Sequence, residues 1–91
     1  MKAGTPTGDE LEEVAGLIGM QWKKLGRRLD VSEAKLREID QAHDEISEKE
    51  YHMLMYWKQG QGVDATYQAL HDALLHPLVD RPDIAEKLCY Y

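Results

Sequence analysis

Residues 19–39 run Gly19-Met20-Gln21-Trp22-Lys23-Lys24-Leu25-Gly26-Arg27-Arg28-Leu29-Asp30-Val31-Ser32-Glu33-Ala34-Lys35-Leu36-Arg37-Glu38-Ile39. Trp22, Leu25, Gly26 and Leu29 stand at i, i+3, i+4 and i+7, the spacing that puts four residues on one face of a helix. Ser32 follows Val31 as a natural N-cap, because its hydroxyl can accept from an amide at the start of the next helix. Leu36 and Ile39 then mark the inner side of that helix. Two short apolar stripes with a few residues between them predict two helices packed against a common core.

The same period extends in both directions. Toward the N-terminus, Leu11, Val14, Ala15 and Ile18 share a face; Asp9 or Thr7 is placed to start that helix and Gly19 to end it. Toward the C-terminus, Ser47-Glu48-Lys49-Glu50 has the form of a capping box, flanked by Ile46 and Tyr51 as a hydrophobic staple. Met53, Leu54 and Trp57 form the inner face of this fourth helix, and Gly60 and Gly62 stop it. Asp64 is expected to cap a fifth helix with Thr66, Leu70, Ala73 and Leu74 inward, and Pro77 prevents it from running on. Asp80 is expected to cap a sixth, with Ile84, Ala85 and Leu88 inward and Pro82 in the first turn. No strand-like alternation occurs. The predicted fold class is all-α, a six-helix antiparallel bundle. Residues 1–8, rich in Gly, Thr and Pro, are expected to be a flexible leader to a single domain over 9–91. Tyr90 and Tyr91 are expected either to fray or to pack back.

Ninety-one residues suffice for one modest core, with stability on the order of 5 kcal/mol. The net charge is −6, a sign that disfavours non-specific binding to nucleic acid or to an acidic membrane. The charge is unevenly distributed. Residues 22–37 carry six basic and two acidic side chains, and residues 38–50 carry six acidic and one basic. The single cysteine, Cys89, allows no internal disulfide, which fits a reducing compartment, and a cytoplasmic location is expected. No apolar run approaches the length of a membrane span.

The constellations that chemistry requires are missing. His43, His52, His71 and His76 have no partner at metal-ligand spacing, and there is no HExxH or paired CxxC. Ser32 and Ser47 read as caps and do not lie in a nucleophile elbow. Cys89 lacks an activating base. Gly60-Gln61-Gly62 lacks the lysine of a phosphate loop. We therefore expect no catalytic residue, no cofactor, no metal and no small-molecule substrate. The basic cluster after Trp22 allows another class, a small DNA-binding helical domain. Against it stand the acidic total and the acidic end of the third helix, Glu38 and Asp40.

Four pieces of the chain, taken together, resemble the death-domain family. Gly19-x-x-Trp22-x-x-Leu25-Gly26-Arg27-x-Leu29 is similar to the family's second helix. Leu29-x-Val31-Ser32-x-x-x-Leu36-x-x-Ile39 is similar to the link into the third. Met53-Leu54-x-x-Trp57, Gly62 and Ala65-Thr66-x-x-x-Leu70-x-x-Ala73-Leu74 resemble helices four and five. Arg81-x-Asp83-Ile84 looks like the sixth helix of ankyrins and receptor-interacting kinases. The resemblance spans about residues 10–90. It implies Greek-key topology and a protein–protein interaction module that binds other death domains, possibly its own copies, in apoptotic or inflammatory signalling. A monomeric regulatory domain at the end of a scaffold, of the ankyrin sort, is the alternative within the family.

Trp22 and Trp57 are expected in the core, where truncation to Ala would cost roughly 3–5 kcal/mol. The expected partner-binding residues are the basic Lys23, Lys24, Arg27, Arg28, Lys35 and Arg37; the acidic Glu12, Glu13, Asp40, Asp44 and Glu45; and the apolar Met55 and Tyr56 off the inner face of the fourth helix. Complementary patches of this kind steer encounter and set register.

Overall fold

The computed structural model describes residues 1–90, and every regular element among them is helical. The α-helices are α1 (Gly8–Ile18), α2 (Trp22–Arg28), α3 (Glu33–Ala42), α4 (Ile46–Gln61), α5 (Tyr67–Leu75) and α6 (Pro82–Cys89). Two 3-10 turns, Gly19–Gln21 and Gly62–Asp64, join α1 to α2 and α4 to α5. Chain neighbours α5 and α6, and α3 and α4, pack together, but much of the packing joins helices apart in the chain: α1 packs against α4 and α6, and α2 against α4 and α5 as well as α3. This crossing order is the Greek-key bundle that the resemblance implies. Tyr91 lies outside the described residues.

The apolar stripes read from the sequence are the core. Leu11, Val14, Ala15, Ile18, Trp22, Leu25, Leu36, Ile39, Met53, Leu54, Trp57, Leu70, Ala73, Leu74, Ile84, Ala85 and Leu88 are all buried. The links contribute as well, through Leu29, Val31, Ala65 and Val79. Gly26 is required for space. A Cβ there would come within 2.7 Å of Leu36 Cδ2 and 3.4 Å of Met53 Cγ, so α2, α3 and α4 close on one another at this point. Gly19 and Gly62 end α1 and α4 at positive φ, 64° and 56°, where a Cβ is disfavoured.

Three caps differ from expectation. Helix α4 starts at Ile46, with Glu45 in the N-cap position and no side-chain cap bond, so Ser47 already lies inside the helix. Ile46 is half-buried against the core, and the residue four further on, Glu50, falls on the same inward stripe as Met53, Leu54 and Trp57. Glu50 is fully buried and cannot reach back to close a capping box. Thr66, not Asp64, caps α5 by accepting from the Ala69 amide at 3.0 Å. Asp80 takes a left-handed turn conformation, φ 54°, and Arg81 occupies the cap position of α6 with Pro82 at its first turn. The Ser32 cap on α3 is present, 3.1 Å from the Lys35 amide. At α1, Thr7 and Glu10 make a full capping box, at 3.1 and 2.9 Å.

Residues 1–7 run back over the bundle. The Lys2 amide donates to the Cys89 carbonyl at 2.8 Å, and the Tyr67 amide donates to the Gly4 carbonyl at 3.1 Å. Pro6 is buried, and its carbonyl accepts from Lys58 Nζ.

Candidate interaction surfaces

The basic residues lie on α2 and α3, and the fold sets them beside the acidic residues that follow in sequence. Lys23 Nζ is 2.7 Å from Asp40 Oδ2, and Lys49 Nζ is 2.5 Å from Asp40 Oδ1. Arg27 grips Glu33 with two guanidinium nitrogens. Lys35 pairs with Glu38 at 2.9 Å and lies over the Tyr56 ring, 4.7 Å from its centroid. Much of the charge separation along the chain therefore closes on itself in space. The hydrogen bonds from Lys23 and Lys49 hold the Asp40 carboxyl below its ordinary range, and the Arg27 hydrogen bond does the same for Glu33.

What remains outward is smaller and more sharply placed. Lys24 and Arg37 are exposed and form no ion pair among the described residues. Arg28, one helical turn beyond Lys24, has its guanidinium 3.2 Å from His76 Nε2 and no carboxylate partner. Lys24 and Arg28 are i and i+4 on α2 and so share a face.

On the acidic side, Glu12 is exposed on α1, and Glu13 lies 3.8 Å from Lys87 of α6. Asp44 and Glu45 are exposed in the α3–α4 link. Glu12 also lines a groove of about 360 Å³ between α1 and α4, with Ala15 and Gly16 from α1 and Ser47, Glu48 and Tyr51 from α4. Glu48 stands inside the Ser47–Glu50 string that reads as a cap, and a groove between helices far apart in the chain leaves no local pattern in the sequence. Its lining carries two carboxylates, Glu12 from α1 and Glu48 from α4.

Met55 and Tyr56 part company. Met55 is half-buried and packs against the core, whereas Tyr56 is exposed. Both line a second groove of about 300 Å³ between α3 and α4 that also holds His43 and His52. The two imidazoles stack in parallel, with centroids 4.0 Å apart and an interplanar angle of 7°. Stacked rings direct their nitrogen lone pairs side by side and do not converge on one ion. No group of three or more His, Cys, Asp or Glu is placed to hold a metal among the described residues. Burial raises the pKa of the Cys89 thiol, which favours the neutral form over the thiolate. No helix among the described residues is long and apolar enough to cross a membrane.

The family model described as Death domain matches residues 8–91. Among curated proteins, the chain is similar to THO complex subunit 1 of Mus musculus and of Homo sapiens. Each is 31% identical over 68 residues, a stretch that covers 75% of this chain and 10% of the relative. The chain thus spans about a tenth of the length of these relatives.

Proposed function

The chain belongs to the death-domain family and is a protein–protein interaction module, and on that premise we propose that its partners are other death domains, its own copies among them. Assembly of a signalling complex of the apoptotic or inflammatory kind, in the cytoplasm, is the use that follows from this reading. The observation that supports it is two surfaces of opposite charge that no lysine–carboxylate or arginine–carboxylate pair neutralises among the described residues, Glu48 having only His52 beside it at 3.6 Å. One is the Lys24–Arg28 face of α2, and the other is the groove walled by Glu12 and Glu48 between α1 and α4. The two are complementary in charge and sit on different helices, so one copy can offer its basic face to the groove of the next in head-to-tail contact. Arg37, Asp44 and Glu45 are further exposed charges open to such contacts. Lys23, Arg27, Lys35 and Asp40 serve the fold first, because their charges are engaged within the chain. Exposed pairs contribute about 0–1 kcal/mol each, so several must act at once.

Sedimentation velocity over a wide concentration range tests this. Oligomers should grow with concentration at low salt and dissolve as the screening length drops from about 10 Å at 0.1 M to about 3 Å at 1 M. The double variant Lys24→Glu/Arg28→Glu should weaken association about tenfold or more, equivalent to about 1.4 kcal/mol, with an unchanged melting temperature. Mixing it with Glu12→Lys/Glu48→Lys should restore binding between the two variants. Failure of the mixture to associate would sink the assignment of these faces.

A second reading rests on the relatives, whose name makes them subunits of a complex. In that case the module is a fixed docking piece of a larger assembly. The isolated domain would then stay monomeric at every concentration, as would a scaffold-terminal regulatory domain.

A further inference from the structure

The Gly19–Gln21 turn packs against α4. Both carboxyl oxygens of Glu50 and the side-chain oxygen of Gln21 are shut off from solvent, and none accepts a well-formed hydrogen bond. Glu50 is 0% exposed, and among the described residues it is the one charged side chain in a core that is otherwise apolar. Its position is not accidental to the helix: it continues the inward stripe of α4 between Ile46 and Met53.

An ionised carboxylate in this place would have no counter-charge. The nearest lysine in sequence, Lys49, is engaged by Asp40, and so is Lys23 of α2. On α2, Lys24 is exposed, Arg27 is held by Glu33 and Arg28 lies against His76. On α3, Lys35 is paired with Glu38 and Arg37 is exposed. The charged groups of α1 are all acids, Asp9, Glu10 beside Lys2, Glu12 at the outer groove and Glu13 beside Lys87, and Asp64 of the Gly62–Asp64 turn is exposed. The turn itself carries no charged side chain. Two influences act on the carboxyl. Burial pushes it up, and the Gly19 amide, directed toward it, brings it part of the way back, to about 8 from an ordinary 4.5. Among the described residues no group of three or more His, Cys, Asp or Glu is placed to hold a metal. The cation that fits is a proton.

We propose that Glu50 is a neutral carboxylic acid at physiological pH and that its proton latches the Gly19–Gln21 turn onto α4. Loss of the proton leaves a buried anion that only water or a rearranged backbone can satisfy. The turn is three residues long against the sixteen of α4, so in this proposal it is the turn that gives way. When it lifts, α1 and α2 lose their fixed relation, and with it the relation between the acidic groove and the basic face. That last consequence rests on the partner reading above, whereas the latch itself is a property of the single domain.

The test is an NMR titration of the monomeric domain between about pH 5 and about pH 9, following the Glu50 side-chain carboxyl carbon and the amides of Gly19, Met20 and Gln21. The carboxyl should titrate near 8, and the three amides should shift with the same midpoint. In Glu50→Gln the amide step should vanish. A carboxyl midpoint near 4.5 overturns the proposal. So do turn amides that stay still while Glu50 titrates, or that move unchanged in the variant. The wild-type titration decides the matter even if the variant does not fold. It is made on a monomer, so its failure is separate from any failure of the association experiment.

Discussion

Two glutamates pull the pH profile of this domain in opposite directions. Glu10 loses some solvation, which alone would raise its pKa, but the Thr7 amide, the Tyr67 hydroxyl and the Lys2 ammonium all hydrogen-bond its anion and bring it down to about 2. Its contribution is present above its unfolded value near 4.5 and is lost as pH falls toward 2. The Glu50 carboxyl is raised to about 8, so the stability gained by its neutral form is complete below 4.5 and drains away as pH rises toward 8. Asp40, Glu33 and Asp83, each held down by hydrogen bonds from lysine or arginine, deepen the acid limb. Thermal melts should therefore peak near pH 4.5–5 and fall on both sides. At about 1.4 kcal/mol per unit, the alkaline loss is a few kcal/mol, on the order of 10 °C in Tm. Glu50→Gln should flatten the alkaline limb and leave the acid limb alone; an unchanged alkaline limb would show that the carboxyl is ionised in the fold. Of these residues, Glu50 was within reach of the sequence. It stands four after Ile46 and three before Met53, on an apolar stripe, but S-x-x-E before a hydrophobic run reads first as a cap.

At the scale of the element, helices were easier to read than their ends. Every inward stripe is a run of three- and four-residue steps, and burial enforces such a stripe strongly enough to leave it plain in the sequence. A cap is one hydrogen bond, and its worth of about 1 kcal/mol is readily outweighed by the packing of a neighbour. Thus Ile46 draws α4 in ahead of Ser47, and the Gly62–Asp64 turn moves the start of α5 from Asp64 to Thr66. Thr66→Ala should cost about 1 kcal/mol, and Asp64→Ala a few tenths; denaturant midpoints at constant m measure both. Equal effects would contradict the observed cap. Gly26→Ala has the opposite logic, since alanine favours helix but its Cβ meets Leu36 at 2.7 Å. The crowding should prevail, with a loss of about 1–3 kcal/mol.

For the whole molecule, the order of charges along the chain was a poor guide to the order of charges in space. A basic block followed by an acidic block suggests a two-faced particle. The links between α2, α3 and α4 are short, so the blocks fold onto each other, and Asp40 ends between Lys23 and Lys49. Which charges stay outward depended on pairings that only the three-dimensional arrangement fixes. The α1–α4 groove, made by helices distant in sequence, was out of reach for the same reason. Deleting residues 1–6 removes the Lys2–Glu10 ion pair and the backbone bonds to Cys89 and Tyr67, and at about 1 kcal/mol per hydrogen bond the domain should lose roughly 2–3 kcal/mol. An unaltered melting curve would mean that these bonds add nothing net. The bond between the Lys2 amide and the Cys89 carbonyl also sets how the domain bears load. Polypeptide joined at the two sides meets the bundle at one point, so tension along such a chain passes across that point and not through the core. A steady pull on both ends would load this link first and then, one after another, the bonds that Tyr67 and Lys58 make to Gly4 and Pro6, a zipper and not a shear joint.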